Sequence, residues 1–347
     1  MNNNEEKKIR VAITHGDLNG VGYEVIIKTF SDSRMFDLCT PVLYGSTKVA
    51  SYHKKLLASV PQEMTFNAIK DASEAQDRHY NIINLTQEEV KIDLGKSTEV
   101  AGALSRESLN RACNDLKQGK VDVLVTAPIN KRNIQAPDFD FPGHTEYLSH
   151  QFGSSSLMLM VCDRIRIGIV TNHLALKDVP ATLTPQLLLE KLTILNQSLR
   201  RDFRITRPKI AVLALDPHAG DNGVIGDFDA KVITPVIEQA QANGILAYGP
   251  FPSDGFFGSS QFNNFDGVLA LYHDQGLIPF KLMSFTEGVN YTAGLPYVRT
   301  SPAHGTGYDI AGKDKASEQS FRSAVYLACN IYRNRQEYDE LTANPLK

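Results

Sequence analysis

Three short apolar runs in this chain end on histidine, and that pattern constrains the fold more than any other feature. Leu269 to Tyr272 (LALY) leads into His273, Asp274 and Gln275, Gly168 to Thr171 (GIVT) into Asn172 and His173, and Ile210 to Leu215 (IAVLAL) into Asp216, Pro217 and His218. Runs this short, rich in Leu, Ile and Val and bounded by polar residues, read as buried strands. After the first of them Gly276 breaks the chain and Pro279 bars a simple helix. Loops at the carboxyl ends of strands form the crevice where ligands bind in open α/β sheets. Imidazoles delivered to three such exits would suit a divalent metal with positions left open for substrate. Each histidine alone is better explained as a satisfied loop residue than as a ligand, and their shared placement is what argues for one site. Asp274 is placed to orient a ligand, complete a metal shell or move a proton, or else to face solvent in a turn.

The remaining chain alternates strands and helices. Arg10 to Thr14 reads as a first strand ending at His15, Gly16 and Asp17, with a helix over Gly20 to Phe30. The glycines at 16, 20 and 22 do not have GxGxxG spacing, so they read as a tight strand-to-helix turn and not as a dinucleotide site. Strands follow at 41–45, 80–85 and 121–125, with helices at 46–57 and about 103–117. Lys131, beyond the last of these strands, reads as a solvated loop residue. In FPGHTEYL, Thr145 reads as a helix N-cap. Two apolar runs, 157–162 and 165–171, are separated only by Asp163 and Arg164 and predict a hairpin, hence an antiparallel part of the sheet. Leu188, Leu192, Leu195 and Leu199 form a helical core stripe, 230–243 forms another such helix, and Ser317 caps a last one.

At 347 residues and 42% hydrophobic, the chain can bury a large core and form two lobes, which the lack of a Pro/Gly linker suggests are interleaved. A formal net charge of -3 without a basic stripe argues against nucleic acid as a partner. No apolar run reaches membrane-spanning length, and the polar start MNNNEEKKIR lacks a secretory core, so a cytoplasmic protein is expected. Cys39, Cys113, Cys162 and Cys329 form no CxxC pair and are expected to be reduced.

Two further groupings carry chemistry. Lys281, Asn290 and Arg299 would together suit a small anionic substrate, though they could equally be unrelated surface groups. GYDIAGKD is one residue from a Walker A pattern, but Asp314 replaces the magnesium-binding hydroxyl and SPAHGT before it does not read as a strand, so an ATPase is rejected. Such a glycine-rich loop can still receive adenosine or ribose.

GHTEYL, DPHAGDNGVIG, LYHDQGLIPFK, GVNYTAGLP, VRTSPAHGT and YDIAGKDKA, in that order from Gly143 to Ala316, resemble the signature blocks of the 4-hydroxythreonine-4-phosphate dehydrogenase family of pyridoxal phosphate biosynthesis. The opening ITHGDLNGVGYE is similar to the family's N-terminal loop. The resemblance implies an isocitrate/isopropylmalate dehydrogenase-like two-lobed α/β/α fold with a mixed sheet, not a Rossmann fold. Residues 1–347 would form two interleaved lobes with the active site in the cleft between them. It implies oxidation of 4-phosphooxy-L-threonine (4-hydroxythreonine 4-phosphate) by NAD or NADP to a β-keto acid, which decarboxylates to 3-amino-2-oxopropyl phosphate. It further implies a divalent metal (Zn, Mg or Co) on His173, His218 and His273, shared across a homodimer interface. Substrate contacts would be His144, Thr145, Lys281, Asn290 and Arg299, and the adenosine loop would use Gly305, Thr306 and Asp309. Lys281, Asp274 and Asp254 are the candidates for catalytic proton transfer.

The chain departs from the family at Leu18 and Tyr23, where two prolines are usual, and at Asp216 and Asp221 in DPHAGD, where NPHAGE is usual. Those changes leave open a related substrate, erythronate or threonate 4-phosphate. A metal-dependent hydrolase using the same histidines without nicotinamide, and a binding protein without turnover, are the other readings.

Overall fold

The computed structural model describes residues 8–137, 139–284 and 286–344, so the first seven residues of the polar opening fall outside it. The chain divides into two compact units, Met1–Gly143 with Tyr297–Tyr332, and His144–Pro296 with Arg333–Lys347.

The first unit opens with β1 (Ile9–Thr14), α1 (Gly22–Ser31), α2 (Met35–Leu38), β2 (Cys39–Gly45) and α3 (Thr47–Lys55). It continues through β3 (Asn67–Ile69), β4 (Asn81–Asn84), α4 (Glu99–Lys117) and β5 (Val123–Thr126). The second unit contains α5 (His144–Phe152), β6 (Leu157–Val161), β7 (Arg166–Thr171), α6 (Val179–Thr182), α7 (Pro185–Arg201) and β8 (Lys209–Leu213). There follow α8 (Thr234–Ala242), β9 (Leu246–Phe251), α9 (Ser253–Gly258), β10 (Gly267–Tyr272), α10 (His273–Met283) and β11 (Val289–Ala293). The chain then returns to the first unit with β12 (Val298–Pro302) and ends on α11 (Gln319–Thr342).

Within the first unit the strand order is β3-β4-β2-β1-β5-β12, with every neighbouring pair parallel. Parallel strands are covered on both faces, and β2 is accordingly buried at each residue from Cys39 to Gly45. In the second unit the order is β11-β6-β7-β10-β8-β9. There β6 runs antiparallel to both β11 and β7, as the two-residue connection at Asp163 and Arg164 predicts, while β7, β10, β8 and β9 are parallel. The fold is therefore α/β with a mixed sheet.

Local sequence explains most helix boundaries. The side chains of Ser46, Thr98 and Thr184 accept from Val49, Ala101 and Leu187 amides to start α3, α4 and α7, each cap contributing about 1 kcal/mol. The leucine stripe of α7 is buried at Leu188, Leu192, Leu195 and Leu199, and each side chain stabilises the fold by roughly 1.5–3 kcal/mol.

Two expectations fail. Thr145 does not cap α5, because the helix already begins at His144. Gly276 and Pro279 do not stop a helix either, since α10 runs through both from His273 to Met283. Gly276 lies so close to the sheet that a Cβ would sit 3.0 Å from Ile167 and 3.1 Å from Ala270. Leu277 and Phe280 are buried beside it, and that packing offsets the backbone hydrogen bond that Pro279 removes.

Candidate active site

Because β7, β10 and β8 lie side by side and parallel, the residues that follow them emerge on one edge of the second unit's sheet. Two polar side chains tie these exits together. Thr171 Oγ1 donates to the Leu271 carbonyl at 2.7 Å, joining the ends of β7 and β10. Gln275, buried in the first turn of α10, accepts from the Leu271 amide and donates to the Ala214 carbonyl, both at 2.6 Å, and to Ser253 Oγ at 2.9 Å. Sequence reasoning gave Gln275 no role, since its partners lie as far away as Ala214.

The rings of His173 and His273 come together at this edge with centroids 5.9 Å apart. Each has a carboxylate at its Nδ1 side. Asp274 Oδ1 is 2.7 Å from His273 Nδ1, and Glu146 Oε1 is 3.7 Å from His173 Nδ1. Asn172 Nδ2 donates to the same Glu146 oxygen at 3.3 Å. Burial favours the neutral acid at Glu146, but donors from His173, its own amide and Asn172 outweigh that and hold the carboxyl below its ordinary range. A cavity of about 310 Å³ is lined by Asn172, His173, Tyr272, His273 and Asp274, with apolar walls at Leu176 and Val179. Asn172 also borders a second cavity of about 570 Å³, where Thr145, Glu146, Ser149 and Lys191 contribute polar groups.

His218 belongs to a different local structure. From His218 to Asn222 every residue has positive φ, between 45° and 81°, a left-handed turn containing one glycine, Gly220. Non-glycine residues pay of order 1–2 kcal/mol each for that conformation, and the surroundings must hold them there. Asp229 anchors the chain just before the turn, its two carboxylate oxygens accepting from the amides of Leu215 and Asp216 at 2.8 and 2.9 Å. Gly220 is pressed against Gly226, whose carbonyl would lie 2.3 Å from an added Cβ. Among the described residues of one chain, no three His, Cys, Asp or Glu side chains are gathered at metal-holding distance. The donor chemistry is compatible with a metal: two imidazoles have a carboxylate on the Nδ1 side, which would leave Nε2 free to face an ion, and among the described residues buried Glu146 Oε2 and Asn172 Oδ1 lack hydrogen-bond partners.

The expected substrate contacts are spread over both units. His144 and Thr145 form the first turn of α5, with Thr145 buried. Lys281 is exposed near the end of α10, and Asn290 is half-buried on β11. Arg299 lies on β12 in the first unit, only 2% exposed, and donates to Thr126 Oγ1 at 2.6 Å. Asp254 is exposed in the first turn of α9.

The candidate cofactor loop is in the first unit and is fixed from its inner side. The Thr306 carbonyl accepts from the Val21 amide at 2.9 Å. Tyr308 donates its hydroxyl proton to Asp17 at 2.7 Å and accepts from Asn130 Nδ2 at 3.0 Å. Gly20 permits this contact, because a Cβ there would lie 2.5 Å from the Thr306 carbonyl oxygen. The glycines of GDLNGVG thus serve more than a turn. With the loop anchored inward, Gly305 and Asp309 remain exposed, which fits the edge of an adenosine or ribose. Asp314 is tied inward by Lys28 at 2.8 Å and by Ser59, consistent with rejecting a phosphate-binding Walker loop.

Leu18 and Tyr23, the two departures from the usual prolines, are each 1% exposed. Tyr23 stacks between His15 and His53, with ring centroids 5.3 and 5.0 Å away, so these changes repack the interior of the first unit.

The family described as pyridoxal phosphate biosynthetic protein PdxA matches residues 37–328 of the chain. A 4-hydroxythreonine-4-phosphate dehydrogenase of Bacteroides thetaiotaomicron is 50% identical over 345 residues, covering 99% of this chain and 94% of the relative. The solved 4-hydroxythreonine-4-phosphate dehydrogenase of Klebsiella pneumoniae is similar with a TM-score of 0.80 at 31% identity, covering 94% and 98% of the two chains. A solved putative 4-hydroxythreonine-4-phosphate dehydrogenase of Salmonella typhimurium gives the same TM-score of 0.80 at 33% identity, covering 94% and 100%. The expected fold class, α/β with a mixed sheet and not a Rossmann fold, holds. No helix among the described residues is long and apolar enough to cross a membrane.

Proposed function

This chain belongs to the pyridoxal phosphate biosynthetic protein PdxA family, and from that premise we propose that it is an oxidoreductase acting on 4-hydroxythreonine 4-phosphate. The reaction is oxidation of the substrate's secondary alcohol with NAD or NADP as hydride acceptor, followed by loss of carbon dioxide from the β-keto acid to give 3-amino-2-oxopropyl phosphate. The observation that carries this reading is the pairing of His173 and His273 at adjacent parallel strand exits, each with a carboxylate at Nδ1.

His173, His218 and His273 would hold a divalent ion of the zinc, cobalt or magnesium class, with imidazole donors favouring the first two. When bound, such an ion would supply Lewis-acid stabilisation of the developing alkoxide, and a nicotinamide would serve as hydride acceptor. The chain's own residues do the rest. Asp274 is bonded to His273 Nδ1, and that engagement favours orienting the ring over transferring a proton to or from substrate. Lys281 is exposed near the end of α10, the helix that begins at His273, and would grip the substrate's phosphate as a mobile point charge. Thr145, His144, Asn290 and Arg299 would complete the anion grip. Asp254 is then the carboxylate left for proton transfer. Gly305, Thr306 and Asp309 would receive the adenosine portion of the cofactor.

A homodimer accounts for the single chain's incomplete histidine set. Leu282, Val224, Leu176 and Ile278 of the second unit are exposed at 84%, 81%, 68% and 59%, an apolar display suited to burial against a second copy. Because Leu18 and Tyr23 are interior, they give no support to a different substrate.

A panel of 4-hydroxythreonine, erythronate and threonate 4-phosphates tests the reading, with reduced nicotinamide followed by absorbance. The expected outcome is turnover of 4-hydroxythreonine 4-phosphate that EDTA abolishes and added Zn²⁺ or Co²⁺ restores. Preferred turnover of erythronate or threonate 4-phosphate would overturn the substrate assignment. Phosphate release without nicotinamide reduction would instead mark a metal-dependent hydrolase.

A further inference from the structure

We infer that Glu146 is a positioning residue for the metal centre, holding the His173 ring from its Nδ1 side so that Nε2 is the nitrogen presented to the ion. The inference rests on the metal-dependent reading proposed above and adds a residue to it. His273 provides the internal comparison. Its Nδ1 meets Asp274 Oδ1 at 2.7 Å, through a carboxylate on the very next residue. His173 has no acidic neighbour in sequence, and its carboxylate arrives from α5, 27 residues earlier, with Oε1 3.7 Å from Nδ1. A sub-ångström shift of the ring brings that pair to hydrogen-bond length.

Asn172 fixes the carboxylate in turn, donating to Oε1 at 3.3 Å, and Glu146 Oε2 is buried without a hydrogen-bond partner among the described residues. The carboxylate is therefore held in place by the residue directly before the histidine it faces. A group set this way fixes which imidazole nitrogen carries the proton and which carries the lone pair, and it makes the ligand more basic. Glu146 also borders the second cavity with Thr145, an expected substrate contact, so the same turn of α5 serves the metal side and the substrate side.

The test is a Co²⁺ titration of the metal-free full chain, read by visible absorption of the bound ion and by competition with a chromophoric chelator. Glu146→Gln is expected to weaken Co²⁺ affinity by about 10–100-fold without changing the thermal midpoint of the metal-free protein. Asn172→Ala, which removes the donor to Oε1, is expected to weaken it by a smaller factor and decides the matter if Glu146→Gln does not fold. Wild-type affinity in either folded variant overturns the inference while leaving the metal reading intact. A loss in Glu146→Gln as large as that in His173→Ala also overturns it, because Glu146 would then be a ligand itself. A wild-type protein that takes up no Co²⁺ overturns the inference and the metal reading together.

Discussion

The exits of β1 and β10 begin alike in sequence and end as opposites in structure. Both are apolar strands that run directly into histidine, His15 and His273. His15 is only 2% exposed, stacked on Tyr23, which in turn stacks on the equally buried His53, whose Nε2 bonds the Leu18 carbonyl at 2.9 Å. His273 lines a cavity, next to a second imidazole and backed by a carboxylate. A strand-end histidine is thus a core residue when an aromatic ring covers it and a ligand candidate when a carboxylate turns one nitrogen outward.

The largest effect expected of breaking that contrast is on turnover. His273→Ala should lower kcat/KM by about a thousandfold, the scale of losing an electrostatic element of the active site, with little change in thermal midpoint. Steady-state rates and a melting curve on the same preparation check both halves. His53→Ala should do the reverse, costing about 3 kcal/mol of stability through the cavity it leaves while kcat of the folded fraction stays near wild type. Denaturant unfolding alongside kinetics separates the two.

A smaller effect comes from pH. Burial is the leading cause that pushes both His15 and His53 down to about 4 from the ordinary 6.5. An unfolded chain takes up protons near 6.5 while the folded rings refuse them until about 4, so in that window the unfolded state binds more protons. Stability is therefore full above the unfolded value and is lost as pH falls toward the folded one, at about 1.4 kcal/mol per unit for each ring. Thermal midpoints across that range should decline in the wild type and decline less steeply in His53→Ala.

Much of this was legible from residues alone. The apolar runs and their polar exits gave the strands, and the helix expected from Ser46 starts there because a cap is local chemistry, whereas α4 begins at Glu99 behind the Thr98 cap, ahead of the expected 103. What stayed hidden depends on tertiary placement. Pro279 looks like a stop, yet α10 tolerates it because Gly276 lets the helix lie flat on the sheet. The left-handed turn at 218–222 carries its signal in Gly220, Asp221 and Asn222, which tolerate positive φ, while His218 and Ala219 take the same conformation with nothing in the sequence to announce it. Glu146 stood inside a quoted block without a role, since its partners Asn172 and His173 meet it only in the folded second unit. Gln275 was visible beside His273, but its bond to Ala214 was not.

The central claim is that His173, His218 and His273 hold one divalent ion between them, although a single chain brings only two of the rings together. It is tested most directly by measuring metal content by mass spectrometry after dialysis of the intact protein and of the three single alanine variants. The account predicts one equivalent of Zn²⁺ or Co²⁺ per chain in the wild type and loss of most of it in each variant, His218→Ala included. Full retention of metal in His218→Ala would contradict it.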